Sequence, residues 1–435
     1  MSYLPADFRH GRRRGQAKPD CVVVGAGVVG CSIALALARR GYLPLVVDRA
    51  EDCGQGSTKL STAVIRQRFL HAPAVALALE GLRVWQQWPE FLGVEDPRGM
   101  ALFREVGVLW LLGGPAPRLP ALAHMMETVG AKAELLDAGR LAGRFPQLHI
   151  PEEPSTLNGL YEPEGGYVDD PALATHNLRV AAEAAGARFL FGTRVTEVTS
   201  RFSAATGVAR QVTGVVTSSG SAISAPVVVN AGGPHSGQIN LMARSPLALA
   251  TAPVRQQLLE GPAPGLMHAP THLPVLADLP GGWYCKPDAH RFRVGSLDPR
   301  DELDFQADPD RVDPVVSAAF RKDKLSGAAA RLPGAKLRSP RPMVGVYDVT
   351  VADWHPILDR TDLDGYFVAV GTSGAWFKGA PVIGHLMAEL VEAVRDGFDH
   401  DRTPLLVRLP YTRNLLDLGF FSRRRSPIAA AGVLG

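Results

Sequence analysis

Apolar residues near the start of the chain form a run Cys21-Val22-Val23-Val24, a glycine turn Gly25-Ala26-Gly27-Val28-Val29-Gly30, a stretch from Ile33 to Ala38, and a second run Leu43-Pro44-Leu45-Val46-Val47. The outer runs are continuous rather than alternating, the character of parallel strands buried on both faces. The stretch between them reads as a helix ended by Gly41. From Ala74 to Trp88, Val75, Leu79, Leu82 and Trp85 recur at helical spacing, and Pro89 is expected to close that segment. Asp170-Pro171 is a helix start, with the carboxylate as N-cap and the ring in the first turn, and the helix is expected to run to Gly186. Strands are expected at residues 188–191 and 195–198. Residues 214–220 predict a hairpin, and 225–233 a buried strand emptying into a glycine turn. Strand, glycine turn and helix recur at residues 365–394.

Between these pieces, residues 97–166 and 247–340 consist of short strands and proline-punctuated loops, such as Val106 to Leu112 and Arg291 to Gly295. The pattern predicts one nucleotide-type domain from residues 18–90, 167–246 and 341–400, a second domain from 91–166 and 247–340, and tails at 1–17 and 401–435. Phe420-Phe421-Ser422-Arg423-Arg424-Arg425, in the second tail, is expected to fray.

The first glycine turn carries a specific chemistry. Gly25 permits the tight turn, Gly27 removes the Cβ that would block a pyrophosphate, and Gly30 lets the helix lie close to the sheet. The free N–H groups and positive end of the helix then bind the anion without a basic side chain. Asp48, at the end of the next strand, suits the two ribose hydroxyls of an adenosine half and repels a 2′-phosphate. These features define a dinucleotide site and leave NAD or FAD open.

Composition narrows the class further. At 435 residues the chain exceeds the usual single domain, and 46% hydrophobic with 20% charged residues describes a soluble globular protein. A net charge of +3 gives no argument for nucleic acid, and the basic cluster Arg9, Arg12, Arg13 and Arg14 reads as a solvated tail. Neither a secretory signal nor a membrane span is visible. Cys21, Cys31, Cys53 and Cys285 show no CxxC and no metal-ligand spacing, so free thiols, no metal and a reducing cytoplasm are expected.

Four blocks in order (Gly25 to Gly30; Gly56-Ser57-Thr58 through Ile65-Arg66; Val228 to Ser236; Asp353 to Pro356 with Gly371 to Gly384) resemble the amino-acid-oxidase-like family of FAD enzymes, which includes glycine oxidase and monomeric sarcosine oxidase. The resemblance implies an α/β fold: a Rossmann-like FAD-binding domain with a second α+β substrate domain on a mostly antiparallel sheet. It implies FAD contacts at Gly25, Gly27, Val28, Val29, Gly30, Asp48, Arg49, Ser57, Thr58, Ser61, Thr62, Ala63, Val195, Ala231, Gly232, Gly371, Ser373, Gly374, Ala375, Phe377 and Lys378. Gly345 stands where covalent members carry a flavin-linking cysteine, and Ser61 or a neighbour stands where others attach flavin through histidine, so FAD is expected to be non-covalent.

By the same resemblance Arg66 and Lys378 clamp a substrate carboxylate, with Arg68 a rival for that role. Arg293 occupies the place of a lysine that promotes reaction with oxygen; Tyr347 and Tyr284 are candidate substrate contacts, and His355 is read as structural. The implied reaction moves a hydride from the carbon bearing an amine to flavin N5, giving an imine, with O2 or a downstream carrier as final acceptor. Two alternatives stay open: a non-catalytic flavin-binding assembly protein, suggested by Ile65-Arg66-Gln67-Arg68-Phe69, and an aromatic flavin monooxygenase.

Overall fold

Cys21–Val24 and Pro44–Val47 are neighbouring parallel strands, in a computed structural model that describes residues 18–114, 118–151, 157–202, 210–263, 273–288, 291–334, 337–428 and 432. The basic cluster at Arg9 to Arg14 lies outside the described residues. The sheet has six strands in the order Ile357–Arg360, Tyr366–Val370, Val227–Asn230, Cys21–Val24, Pro44–Val47, Arg188–Leu190. All its pairings are parallel except Ile357–Arg360 against Tyr366–Val370. Its strands are apolar on both faces because helices Val28–Arg39, Pro171–Ala185 and Ala380–Arg395 pack together on one side, while Val195–Arg201 and Gln211–Thr217 join the core on the other.

Local chemistry explains the ends of these elements. Asp170 accepts from the N–H groups of Ala172 and Leu173, both at 2.9 Å, and Gly186 at φ +110° closes the helix they begin. Pro89 does not close the preceding helix as expected. That helix is Ala72–Gln86, and Pro89 sits in the first turn of a further short helix, Trp88–Leu92, where its missing N–H costs nothing. Gly93, at φ +65°, ends that helix.

The second sheet has eight strands in the order Arg341–Thr350, Thr251–Gly261, Phe292–Ser296, Trp283–Pro287, Val275–Asp278, Val108–Leu112, Asn158–Glu162, Glu134–Leu136. It is antiparallel throughout except where Val275–Asp278 runs parallel to Val108–Leu112. Arg341–Thr350 pairs along Thr251–Gly261, so this sheet reaches past residue 340 and runs toward the nucleotide-type sheet. A small antiparallel sheet, Val64–Ile65, Gly166–Val168 and Phe103–Glu105, ties the segment after Ser61 to the second-sheet side.

The expected fraying of residues 420–425 is wrong. Arg423 is buried and its guanidinium meets Asp401 at 2.6 and 3.0 Å, Asp362 at 2.5 Å and the fully buried Asp359 at 3.3 Å. Arg425 holds Asp353 through two bonds of 2.8 and 2.9 Å, and Phe421 is fully buried against Trp376. Carboxylates spread over residues 353–401 are the partners that a run of arginines could not reveal.

Candidate functional site

The first glycine turn packs tightly where it touches the protein and stays open where it does not. Gly25 lies at φ +110°, and a Cβ there would strike the Ala231 carbonyl; a Cβ at Gly30 would strike the Gly25 carbonyl. At Gly27 the nearest neighbour of such a Cβ is Thr58 Oγ1, at 3.4 Å. The helix Val28–Arg39 starts without a side-chain cap or an acidic residue in its first turn, and the Val28 N–H donates to Thr58 Oγ1 at 3.3 Å. Asp48 is fixed beside this turn, its carboxylate accepting from the N–H of Ala26 at 2.6 Å and of Ala50 at 2.8 Å.

A cavity of about 440 Å3 begins at this helix end. Of the expected cofactor residues, Gly25, Gly27, Val28, Val29, Asp48, Arg49, Ser57, Thr58, Ser61, Val195, Ala231, Gly232, Gly374 and Phe377 line it, as does Tyr347. Gly30, Thr62, Ala63, Gly371, Ser373, Ala375, Lys378, Arg66 and Arg293 do not form its wall. Gly30 serves helix packing, and the Gly371 N–H is turned to Asp348. Ser57 donates to the Val346 carbonyl, which fixes the 57–61 segment against the strand Arg341–Thr350. Arg49 also pairs with Asp310 at 2.6 Å, and Asp310 meets His235 at 3.1 Å, so the loop carrying Pro309 and Asp310 closes one side of the cavity.

Two buried non-glycine residues with positive φ flank the far end: Ala63 at +50° and Ser373 at +50°. Such backbone is strained for an L-residue and persists only where the surroundings enforce it. Ser373 is enforced by its N–H to the Asp348 carbonyl at 2.7 Å and its hydroxyl to the Gly371 carbonyl at 3.0 Å. Asp348 organises the turn: its carboxyl accepts from the Gly371 N–H at 2.6 Å and the Ser236 hydroxyl at 2.8 Å, while burial pushes its pKa up to about 7. It lines the cavity and was not foreseen; an acid two residues before the end of an apolar strand was the available signal.

The structure brings Arg66 and Lys378 together. Both are buried, and both stand over Phe69, the guanidinium carbon at 4.1 Å and the ammonium nitrogen at 5.6 Å from the ring centroid. Phe69 stacks at 4.7 Å on Trp376, which lines the cavity. Arg66 donates to the Arg68 carbonyl and Lys378 to the Ala375 carbonyl. Burial, and then Arg68, lower the pKa of Arg66 to about 9; burial, and then Arg66, push Lys378 well below the usual lysine range. Helix Ala72–Gln86 places Lys378: Trp85 Nε1 donates to its carbonyl at 2.8 Å, and a Cβ on Gly81 would strike the same oxygen.

Sequence reasoning missed the anchor of this cluster, Glu162. It is fully buried and accepts from Trp110 Nε1 at 2.6 Å, from the Arg68 N–H at 3.1 Å and from the Gln67 N–H. Burial raises its pKa against those bonds. An acid closing the strand Asn158–Glu162 was the only hint.

The second sheet supplies the remaining candidates. Arg293 bonds Glu260 at 2.5 Å and donates to the Ser61 carbonyl at 3.0 Å, which sets it behind the 57–61 segment. Tyr284 and Tyr347 are partly buried neighbours, and desolvation raises both phenols. Lys286, cross-strand from Arg293, is a further unforeseen cation: it donates to the Val168 carbonyl at 3.2 Å, and burial and Arg293 lower its pKa to about 8. His355 packs against His71 and Phe420, with neither ring nitrogen bonded among the described residues and its pKa lowered to about 4 by burial.

Asp52, Cys53 and His176 bring ligand atoms within 4.8 Å of one another, but Arg179 holds Asp52 at 2.7 Å and Arg98 stands 3.6 Å from Asp52 and 3.3 Å from His176. Two guanidinium groups answer the charge a cation would need. Among the described residues no helix is long and apolar enough to cross a membrane.

The model of the family described as FAD dependent oxidoreductase matches residues 20–390. Monomeric sarcosine oxidase from Bacillus sp. (strain B-0618) is 24% identical over 416 residues, 91% of this chain and 97% of that protein. A FAD-dependent oxidoreductase domain-containing protein 1 homolog from Drosophila melanogaster is 31% identical over 193 residues, 43% of this chain but only 35% of that protein. Among solved structures, L-proline dehydrogenase from P. horikoshii shares the fold, with a TM-score of 0.75 and 23% identity, covering 93% of this chain and 97% of that one.

Proposed function

This chain belongs to the family of FAD-dependent oxidoreductases, and from that premise we propose that it oxidises the carbon–nitrogen bond of an amino acid or N-substituted amino acid to an imine. The observation that carries this reading is the buried Arg66 and Lys378 pair over Phe69, one ring away from the cavity wall at Trp376. A guanidinium and an ammonium at one buried place suit a carboxylate, which they fix in direction as well as charge. Similarity to monomeric sarcosine oxidase supports the same class of substrate.

The cavity suits FAD. Gly27 leaves the uncapped helix end open, a Cβ at Gly56 or Gly233 would meet nothing within 4 Å, and Asp48 stands ready for ribose hydroxyls. Gly25 to Val29 and Asp48 would hold the adenosine and pyrophosphate half, and Ser57, Thr58 and Ser61 with Gly374, Trp376 and Phe377 the flavin half. When bound, FAD supplies the two-electron acceptor that takes a hydride from the carbon bearing the amine. No cysteine or histidine lies at Gly345 or Ser61, so acid denaturation is expected to release the flavin into solution.

The remaining steps belong to the protein. Burial, reinforced by Arg66, pushes the Lys378 amine well below its usual range, and the same surroundings disfavour an ammonium on an arriving substrate. The substrate amine therefore enters as the neutral base whose lone pair drives hydride loss, and no separate catalytic base is required. Tyr284 and Tyr347, held as neutral phenols, serve as hydrogen-bond donors at the Gly374 end. The final electron acceptor, O2 or a carrier, turns on what Arg293 permits behind Ser61.

The reading is tested by turnover of protonated and deuterated N-methyl substrates with an artificial electron acceptor, scoring the carbonyl product. A primary isotope effect at the oxidised carbon supports it; turnover insensitive to that label, or no carbonyl product, refutes it.

A further inference from the structure

Arg68 is 5% exposed, yet its Nε and Nη1 have no hydrogen-bond acceptor and no ion pair among the described residues. Its guanidinium lies 4.7 Å from the centroid of Trp110, the ring over which Arg66 also stands at 5.3 Å. Arg66 and Lys378 meet over Phe69, next to the cavity wall at Trp376, so Arg68 sits one aromatic ring beyond the carboxylate clamp. Glu162, the carboxylate beside Arg68, has its oxygens already bonded to Trp110 Nε1 and to the peptide N–H groups of Gln67 and Arg68. A buried guanidinium with idle N–H groups is costly unless something anionic meets it.

We propose that Arg68 forms a second anionic subsite, and that the preferred substrates carry a second acid group, on the side chain or on the N-substituent, in addition to the carboxylate held by Arg66 and Lys378. This inference rests on the amino-acid reading and sharpens it to amino diacids. The first carboxylate fixes the oxidised carbon toward the flavin; the second reaches past Phe69 and takes the Nε and Nη1 donors as a two-point bond. A monoacid fills the clamp and leaves those donors idle, so discrimination comes from the unpaired group.

The test compares matched pairs, iminodiacetate against N-methylglycine and N-methylaspartate against N-methylalanine, in wild type, Arg68→Gln and Arg68→Lys. The best diacid is expected to exceed its matched monoacid at least tenfold in kcat/KM, chiefly through KM. Arg68→Gln should cut that ratio tenfold or more, and Arg68→Lys should restore part of it. A wild type that turns over monoacids well without favouring a diacid overturns the subsite and leaves the amino-acid reading standing; failure of every amine to react removes the reading itself. Should Arg68→Gln lose its flavin, glutarate and butyrate titrated against the flavin spectrum of wild type decide the matter. Tenfold tighter binding of glutarate supports the subsite, and equal binding overturns it.

Discussion

At the scale of single residues, buried charge dominates the candidate site. Arg66→Ala removes a charge-assisted contact to the substrate carboxylate, which is expected to cost about 1.5–3 kcal/mol, roughly 10- to 150-fold in apparent affinity. A change within about twofold, read from the concentration dependence of anaerobic flavin reduction, would contradict the clamp. His355 makes a separate prediction about acid stability. Its folded pKa of about 4 lies below the ordinary 6.5, so the unfolded chain binds the extra proton between those values and stability falls as pH drops from 6.5 to 4. Replacing it by Phe should make the denaturation free energy less steep in that window by up to about 1.4 kcal/mol per pH unit. An unchanged slope would show that the imidazole takes up its proton without unfolding. Arg66 and Lys378 were legible because their local wording is distinctive. Glu162, Asp348 and Lys286 were not, because each is a charge within a strand whose bonding partners come from elsewhere in the chain.

At the scale of elements, the strands Cys21–Val24 and Pro44–Val47 and the helix after Asp170 could be read from the sequence, since continuous apolar runs, glycine turns and the Asp170 cap are local signals, whereas the sheet strand Ile357–Arg360 was not read. The C-terminal segment was misread because its stability comes from the Asp359, Asp362 and Asp401 carboxylates around Arg423. Arg423→Ala strands the fully buried Asp359, and breaking such a pair costs about 3–5 kcal/mol. The denaturant midpoint should fall accordingly, and a shift too small to resolve would restore the fraying tail. Helix Ala72–Gln86 offers a finer test. Gly81→Ala pushes on the Lys378 carbonyl without touching substrate, so KM for a carboxylate substrate should rise severalfold while the flavin stays bound. An unaltered KM would mean that the helix does not position Lys378.

At the scale of the whole molecule, two sheets meet around one cavity, and the turn built on Asp348 and Ser373 joins them. The Arg49, Asp310 and His235 contacts bridge the cavity near its helix end, but they are half exposed and worth about 0.2–1 kcal/mol. Asp310→Ala should therefore speed flavin release at most about fivefold; a far larger effect would make that loop a principal holder of the cofactor. The pairing of Arg341–Thr350 with the second sheet could not be read from sequence, since nothing local marks which edge a strand joins. The most direct test of the central claim is anaerobic titration of the flavin-loaded protein with glycine, N-methylglycine, D- and L-amino acids, proline and amino diacids, followed by admission of air. Loss of the flavin absorbance with at least one of these, and its return in air or with an added carrier, is the predicted result. A flavin that dithionite reduces normally but no amine bleaches would contradict amino-acid oxidation and favour a flavin-binding protein without this turnover.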